Sequence, residues 1–448
     1  MFKLLKARKK LFIAVFSVSL IGTFLSIIFM NIISTSTGSW MYQLTYNNEE
    51  ALSSCVISDN GKLIVVGSAN NNLYLFEKSS STPLWLYRMD DDILDVDMSA
   101  NGQYIVAGAD EDLFLFEKTS STPLWIYSTG SVIRNVGISS NGNYIMILTE
   151  SHEICLFQKN SSSPLWNITQ SFPGPYVLGE ISNEGSYIVS VSNGVIYLYN
   201  ASNSAIIWQY DTGEPVISAL TISANGEYLA AGGQDSKIHL FNKTGPTPIQ
   251  IYSTGASVRS ISLSENGTYI AAGCADGFYL FEISNSTEKW KFITLDDAYH
   301  VAISSNGEYI IGGGVSYSID IDYLYLFKKG TNTPEWIKQV GHRVETVDIN
   351  SAGTVIAASS GFRFYLLNRD NPFIDEAYIL KLNLSYIGLG ISLGLGLCCG
   401  GIYFVQIRKE RVRKEKETRD KEILEVIDTL DDKYKEWEDK KEQEEGKI

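Results

Sequence analysis

Between residues 40 and 367, short apolar runs alternate with polar and glycine-containing segments at a nearly constant period. A turn of the form Asn-Gly, or a close relative, recurs every 40 to 46 residues, at Gly61, Gly102, Gly142, Gly185, Gly226, Gly267, Gly307 and Gly353. Each unit reads approximately VxxVxISxNGxYIxAGxxDxxLYLFxKxSSxPLWxY, which contains four runs of alternating, β-branched or aromatic residues. The pattern predicts eight units of four strands each.

The second unit illustrates the predicted strands, which we label a to d. They cover residues 93–98, 104–108, 113–117 and 124–127, and Asn101-Gly102 supplies the positive φ angles of a tight hairpin between a and b. A lone four-stranded sheet leaves its faces uncovered, so units of this length are expected to pack radially as the blades of a propeller.

Tryptophans indicate how the ring closes. A tryptophan opens strand d in six units, at Trp85, Trp125, Trp166, Trp208, Trp290 and Trp336. Gln250 takes that place in the fifth unit, and the eighth unit ends after its c strand near Leu367. Because Trp40-Met41-Tyr42 precedes the first a strand, we predict that the two ends of the repeat region share one blade. Prolines precede several d strands, as expected of exposed sheet edges, at Pro83, Pro123, Pro164, Pro248 and Pro334.

The units resemble WD40 repeats and also the eight-bladed, PQQ-like propellers of quinoproteins, over nearly all of residues 40–367. Phenylalanines stand where the WD40 Trp-Asp dipeptide begins, at Phe76, Phe116, Phe157, Phe241, Phe281 and Phe327. Only Gly341-His342 matches the Gly-His step of that family, and acids in the b–c loops are present at Asp110, Asp235 and Asp276. The resemblance implies an all-β, eight-bladed propeller of four-stranded blades with terminal-strand closure. It leaves the subfamily open, because most of the WD40 network of His, Ser and Asp is missing.

Two uncharged runs flank the repeats and predict transmembrane helices. A basic stub, 1–10, precedes the first run, 11–33, and five basic residues closely follow the second, 384–407. Basic flanks on these sides predict a cell-membrane protein with both termini cytoplasmic and the propeller extracytoplasmic. A cleaved signal peptide is the alternative for the first run, which is longer than the usual apolar region of such peptides.

The segment after the second run, 408–448, is predicted to be a charged cytoplasmic helix. Apolar residues at heptad spacing are typical of a short coiled coil, at Ile423, Ile427, Leu430, Tyr434 and Trp437. Together with small-residue ridges at Gly390, Gly394, Gly396 and Gly400, they favour a homodimer through the second span and the tail. Docking of a lone amphipathic helix on another protein is the alternative.

The charge of the chain points away from nucleic acid and towards a basic protein partner. The formal net charge is -15, and segment 34–381 carries 18 basic and 36 acidic residues. Nucleic-acid binding needs a basic face instead. In a propeller the d–a and b–c loops share one face, the top, where half of these 36 acids are expected. The candidate interaction face comprises Asp90, Asp91, Asp92, Asp110, Glu111, Asp112, Asp296 and Asp297.

The chain offers little for catalysis. Quinoproteins, which the blades resemble, carry vicinal cysteines beside the quinone, but the only such pair here, Cys398-Cys399, lies in the second predicted span. Asp95 and Asp97 continue the acidic run of Asp90 to Asp92, which lacks a calcium-loop pattern and is interpreted as a solvated loop. We expect no enzyme activity, no cofactor and no metal. A degenerate quinoprotein-like enzyme and a structural cell-surface component are the alternatives to a scaffold.

Two further groups of residues are candidate sites. Arg134 and Arg259 occupy equivalent places in strand a, which lines a propeller channel, and could hold an anion; pairing with acids such as Glu345 is the alternative. Sequons for glycosylation occur at Asn160, Asn167, Asn200, Asn242, Asn266, Asn285 and Asn383. Most of them fall on a–b or c–d turns.

Overall fold

The structure is a computed structural model that describes residues 40–43, 52–170, 178–213, 217–294, 297–315, 322–340 and 343–370. Thirty-two strands in these ranges form eight four-stranded antiparallel sheets, as the repeat predicts. The basic stub, the two predicted spans, the charged tail and Asn383 lie outside the described residues. In the ranges given, no helix has the length and apolar character needed to cross a membrane.

Seven blades use four consecutive strands in chain order from the channel outwards, and the eighth takes β1 as its outer strand. The inner strands, a, are β2 (Leu52–Ile57), β6 (Ile93–Met98), β10 (Ile133–Ile138), β14 (Leu178–Ile181), β18 (Ile217–Ile222), β22 (Val258–Leu263), β26 (Asp297–Ile303) and β30 (Val344–Ile349). The second strands, b, are β3 (Leu63–Ser68), β7 (Tyr104–Ala109), β11 (Tyr144–Thr149), β15 (Tyr187–Ser192), β19 (Tyr228–Gly233), β23 (Tyr269–Cys274), β27 (Tyr309–Val315) and β31 (Val355–Ser360). The third strands, c, are β4 (Asn72–Glu77), β8 (Asp112–Glu117), β12 (Glu153–Gln158), β16 (Val195–Asn200), β20 (Lys237–Asn242), β24 (Gly277–Glu282), β28 (Asp322–Lys328) and β32 (Arg363–Asn368). The outer strands, d, are β5 (Trp85–Arg88), β9 (Trp125–Ser128), β13 (Trp166–Thr169), β17 (Ile206–Asp211), β21 (Gln250–Ser253), β25 (Glu288–Ile293), β29 (Trp336–Val340) and β1 (Trp40–Gln43).

The ring closes as the sequence predicts. Strand β1 pairs antiparallel with β32, with Trp40 opposite Leu366 and Gln43 opposite Arg363, so the eighth sheet has the order β1-β32-β31-β30. Because β1 begins and β32 ends at the side of the a–b and c–d turns, the chain enters and leaves the ring there. We call this side the bottom.

The apolar core is divided among the eight seams between consecutive blades. Strands b and c are buried along most of their length, because one face of each sheet meets the preceding blade and the other meets the next. Each seam contains one buried cluster. In the seam between blades 1 and 2, Trp85 and Tyr87 pack on the ring of Phe116, with centroid distances of 5.6 and 5.2 Å. A blade therefore completes its core only with its neighbours.

Tryptophan indoles join neighbouring blades by hydrogen bonds as well as by packing. In six seams the indole Nε1–H donates to a main-chain oxygen in the next blade: Trp85 to Lys118 (2.9 Å), Trp125 to Lys159 (2.7 Å), Trp166 to Ala201 (2.7 Å), Trp208 to Lys243 (3.0 Å), Trp290 to Lys329 (3.1 Å) and Trp336 to Arg369 (2.9 Å). Gln250 stands at the tryptophan position of blade 5, and there the hydroxyl of Tyr252 donates to the Ile283 oxygen at 3.4 Å.

The a–b turns form a second set of links at the bottom. In blade 2, the Ser99 hydroxyl donates to Asn101 Oδ1 (3.1 Å), which also accepts the Gln103 amide (2.9 Å), while Gly102 adopts φ of 71°. The turns are also bonded to one another around the ring through main-chain atoms: Asp59 N to Ala100 O, Ala100 N to Ser140 O, Ser140 N to Asn183 O, Asn183 N to Ala224 O, Glu265 N to Ser305 O and Ser351 N to Asp59 O.

Candidate functional site

Two acidic loops meet at the top of blade 2. The d–a loop carries Asp90, Asp91 and Asp92, which are all exposed, and the b–c loop carries Asp110, Glu111 and Asp112. The Asp110 amide donates to the Asp92 carbonyl oxygen at 3.3 Å, so the loops are in contact. We call these six residues the acidic patch.

The negative charge of the patch is not offset by ion pairs with described basic side chains. Among the residues that the structure describes, no ion pair involves any of its six acids. Asp112 accepts a hydrogen bond from the Ser128 hydroxyl. Other top acids differ in this respect: Glu150 pairs with Arg134 at 3.2 Å and Asp297 with Arg259 at 3.0 Å. Asp296, the remaining member of the candidate face, lies outside the described residues.

Most inner strands contain a β-bulge near their start, which changes the direction of the side chain there. In seven a–b pairs the register shifts so that two residues of strand a oppose one of strand b. The three candidate channel residues, Arg134, Arg259 and Glu345, all occupy the bulged place. Arg259 binds Asp297 through both Nε (3.1 Å) and Nη2 (3.0 Å), whereas Glu345 lies 3.5 Å from Arg343 Nε and not beside either candidate arginine.

Four carboxylates of the inner strands connect neighbouring blades, a role that the sequence analysis missed. Each accepts a main-chain N–H from the next inner strand: Asp95 from Val136 (2.9 Å), Asp97 from Ile138 (2.8 Å), Glu180 from Ile222 (2.9 Å) and Asp348 from Ile57 (2.8 Å). The interpretation of Asp95 and Asp97 as part of a solvated loop is therefore wrong. Their alternation with Val96 and Met98 in strand β6 was the available signal.

Burial governs the proton affinity of these carboxyl groups. It raises the pKa of Asp95 to about 6, of Asp97 to about 8, and of Glu180 and Asp348 to about 7, although the accepted hydrogen bonds oppose the shift. Nearby in the channel, burial and then the charge of Arg343 lower the pKa of His300 to about 4. At pH 7 these values leave Asp97 mainly protonated, Glu180 and Asp348 about half protonated and Asp95 mainly ionised.

The described residues contain little for metal or thiol chemistry. Within them, no group of three or more His, Cys, Asp or Glu side chains could hold a metal ion. Cys55, Cys155 and Cys274 are buried free thiols, as the sequence indicates, and burial raises the pKa of each.

The asparagines of the sequons have different surroundings. Asn160 and Asn285 are exposed on c–d turns, whereas Asn167 lies in β13 and donates to Glu153 at 2.7 Å. The side-chain oxygens of Asn200, Asn242 and Asn266 accept bonds within their own turns. Glycosylation of these residues stays a prediction.

Comparison with known proteins agrees with the fold. A family model described as outer membrane protein assembly factor BamB matches residues 32–174. The model of the WD domain, G-beta repeat, matches residues 207–242 and 246–278. The computationally designed Ika8 protein has a similar solved structure, with a TM-score of 0.62 and 12% identity over 74% of this chain and 100% of that one. No curated protein matches the chain.

These matches and the eight four-stranded blades define the class of protein. The chain is an eight-bladed β-propeller of WD40-like and PQQ-like repeats.

Proposed function

We propose that this protein is a membrane-anchored extracytoplasmic scaffold that binds a protein partner with a basic surface through the acidic patch. The observation that carries the proposal is the contact between two loops bearing six acids, none of them in an ion pair within the described ranges. Charges of one sign concentrated on one surface raise the association rate of an oppositely charged partner. Membrane anchoring rests on the two uncharged runs, 11–33 and 384–407.

The geometry supports recognition more than catalysis. The acids lie on loops fixed at both ends by rigid strands, which is the usual placement of binding residues on a β scaffold. Within the parts of the chain described, they come with no metal cluster, and the thiols are buried in strands of other blades. We therefore propose a non-enzymatic role, which includes a relay of binding to the predicted cytoplasmic helix, 408–448.

The proposal is tested by binding of a fluorescent decalysine peptide to the full chain in a neutral detergent. Neutralising the patch, by D90N, D91N, D92N, D110N, E111Q and D112N together, should weaken binding at least about tenfold at low salt. Added salt should weaken the wild-type complex and leave the variant little changed.

A control matched in charge compares two pairs of exposed acids: D90N with D91N in the patch, and E184Q with E265Q at the bottom. The patch pair should weaken binding, and the bottom pair should bind like the wild type. Equal loss in both variants would show a general effect of net charge, and undiminished binding by the patch variant would refute the proposed site.

A further inference from the structure

The bottoms of most seams are filled by a tyrosine. Strand b begins with this residue in six blades, at Tyr104, Tyr144, Tyr187, Tyr228, Tyr269 and Tyr309, and each ring packs against the glycine of the following a–b turn. In four of these seams a cation of the following blade also lies over the ring: Lys159 on Tyr104 (4.6 Å), Lys243 on Tyr187 (5.4 Å), Lys329 on Tyr269 (5.3 Å) and Arg369 on Tyr309 (4.4 Å).

The seam between blades 1 and 2 breaks this pattern. Leu63 stands where the tyrosine would be, so the cation of the next blade, Lys118, has no ring to lie on. A pocket of about 410 Å³ opens at this place, bounded by both blades. The smaller side chain thus leaves space beside Lys118, which lines the pocket.

Hydrogen-bond donors dominate the polar lining of the pocket. Lys62 and Lys118 line it, and neither has an ion pair within the described ranges. Asn60 and Asn101 line it too, and their Oδ1 atoms already accept bonds from Ser58 and Ser99 in their own turns. The amide Nδ2 groups are therefore what these asparagines can offer to a ligand. The Thr119 hydroxyl adds a further donor.

The rest of the lining is apolar, with one acid. Leu63 and Leu84 form an apolar wall, and Leu84 is 53% exposed. Glu77 is the single acidic lining residue, against two lysines. A ligand that fits this arrangement carries an anionic group with several acceptor oxygens beside an apolar part.

We propose that this seam pocket binds a phosphate ester that carries an apolar substituent. Lys62, Lys118 and the two asparagine amides would hold the phosphate oxygens, and Leu63 and Leu84 would contact the apolar part. The pocket lies at the bottom, where the described chain enters at Trp40 and leaves at Asn368. A phospholipid headgroup is one source of this chemistry and a soluble phosphate ester is the other; only the lipid source rests on the membrane anchoring proposed above.

The test is calorimetric titration of the full chain, in maltoside micelles, with hexyl phosphate. L63Y restores the residue used in six other blades and should weaken binding at least about tenfold while keeping the fold. K62A and K118A should each weaken it about tenfold, because each removes a charged donor. E77Q should strengthen it a few-fold by removing a like charge.

K159A is the matched control, because Lys159 occupies the place of Lys118 but already lies over Tyr104. It should leave hexyl phosphate binding unchanged. Binding that survives L63Y, or no binding of hexyl phosphate at all, would overturn the proposal. Neither result bears on the acidic patch, which is tested with decalysine and lies on the other face.

Two further titrations distinguish a lipid headgroup from a soluble ester as the ligand, and test whether the ligand needs an apolar part. Phosphatidylglycerol in the micelles should compete with hexyl phosphate if a lipid headgroup is the ligand, whereas competition by soluble phenyl phosphate but not by the lipid would assign a soluble ester. Inorganic phosphate should bind at least about tenfold more weakly than hexyl phosphate. Equal affinity would refute the role of Leu63 and Leu84.

Discussion

Residues at equivalent positions of the inner strands accept the same hydrogen bond between blades with either a carboxyl group or a hydroxyl group. Asp97 accepts the amide of the next inner strand, and in blade 6 Ser262 does the same at the equivalent position, accepting the Ile303 amide at 3.3 Å. The hydroxyl is neutral at every pH, whereas the carboxyl group ionises. Wherever an acid replaces the serine, the bond between two blades becomes linked to proton binding.

We predict that the protein loses stability as the pH rises from about 4 to about 8. Because burial raises the pKa of Asp97 from 3.8 to about 8, the folded chain binds this proton more tightly than the unfolded chain does. The stability that the Asp97 carboxyl group contributes is therefore complete below its pKa in the unfolded chain. It is lost as the pH rises to its pKa in the folded chain, by at most about 1.4 kcal/mol per pH unit for one group. D97S, which copies Ser262, should flatten the dependence of melting temperature on pH. Parallel curves for the two proteins would contradict this.

At the scale of the element, the a–b turn joins two blades as well as two strands. Its glycine has positive φ, and in addition it lies against the tyrosine of the preceding blade. At Gly142, where φ is 71°, an added Cβ would lie 2.5 Å from Tyr104 Cδ2. Both the backbone conformation and the close approach therefore require glycine at this place.

The two requirements can be separated by comparing G142A with G130A. Gly130 has φ of 75° but nothing within 4 Å of the added Cβ, so its replacement tests backbone strain alone. We expect G130A to lower the free energy of unfolding by about 1 kcal/mol and G142A by a further 1 kcal/mol or more, roughly, through overpacking. Denaturant midpoints measure both. Equal losses would mean that Tyr104 moves aside without cost.

At the scale of the whole molecule, the ring depends on a strand from the opposite end of the described region. Strand β1 supplies the fourth strand of a blade whose other three strands are β30, β31 and β32. Strand β1 pairs with β32 through a ladder of four residue pairs. Closure therefore depends on the main-chain bonds of a short edge strand.

Proline substitutions can test this closure without altering the rest of the ring. Neighbouring residues of a strand direct their N–H groups to opposite sides, so one of M41P and Y42P removes a ladder bond to β32 and the other does not. The damaging variant should lose roughly 1 to 3 kcal/mol of stability, measured by chemical unfolding. If both variants unfold like the wild type, β1 is not what closes the ring.

The repeat made the blades and their closure predictable, because period and turn residues are local properties of the sequence. The links between blades were not predictable in the same way. Tyr252 takes over a bond at a seam where Gln250 stands at the tryptophan position, and the bulges turn Arg134 and Arg259 towards acids that lie elsewhere in the sequence. The pocket at Leu63 arises because leucine replaces the tyrosine of six other blades. In a motif search this replacement only makes the first unit match the repeat less well.

The antiparallel pairing of β1 with β32 also has a mechanical consequence. Trp40 and Asn368 lie at the same end of the ladder, since Trp40 is opposite Leu366. A force that separates these two points would load one pair at a time, beginning at Trp40, and would peel β1 away without shearing all four pairs together. The ring would therefore open at low tension where its two flanking segments are pulled apart, while the seams between the other blades carried no load.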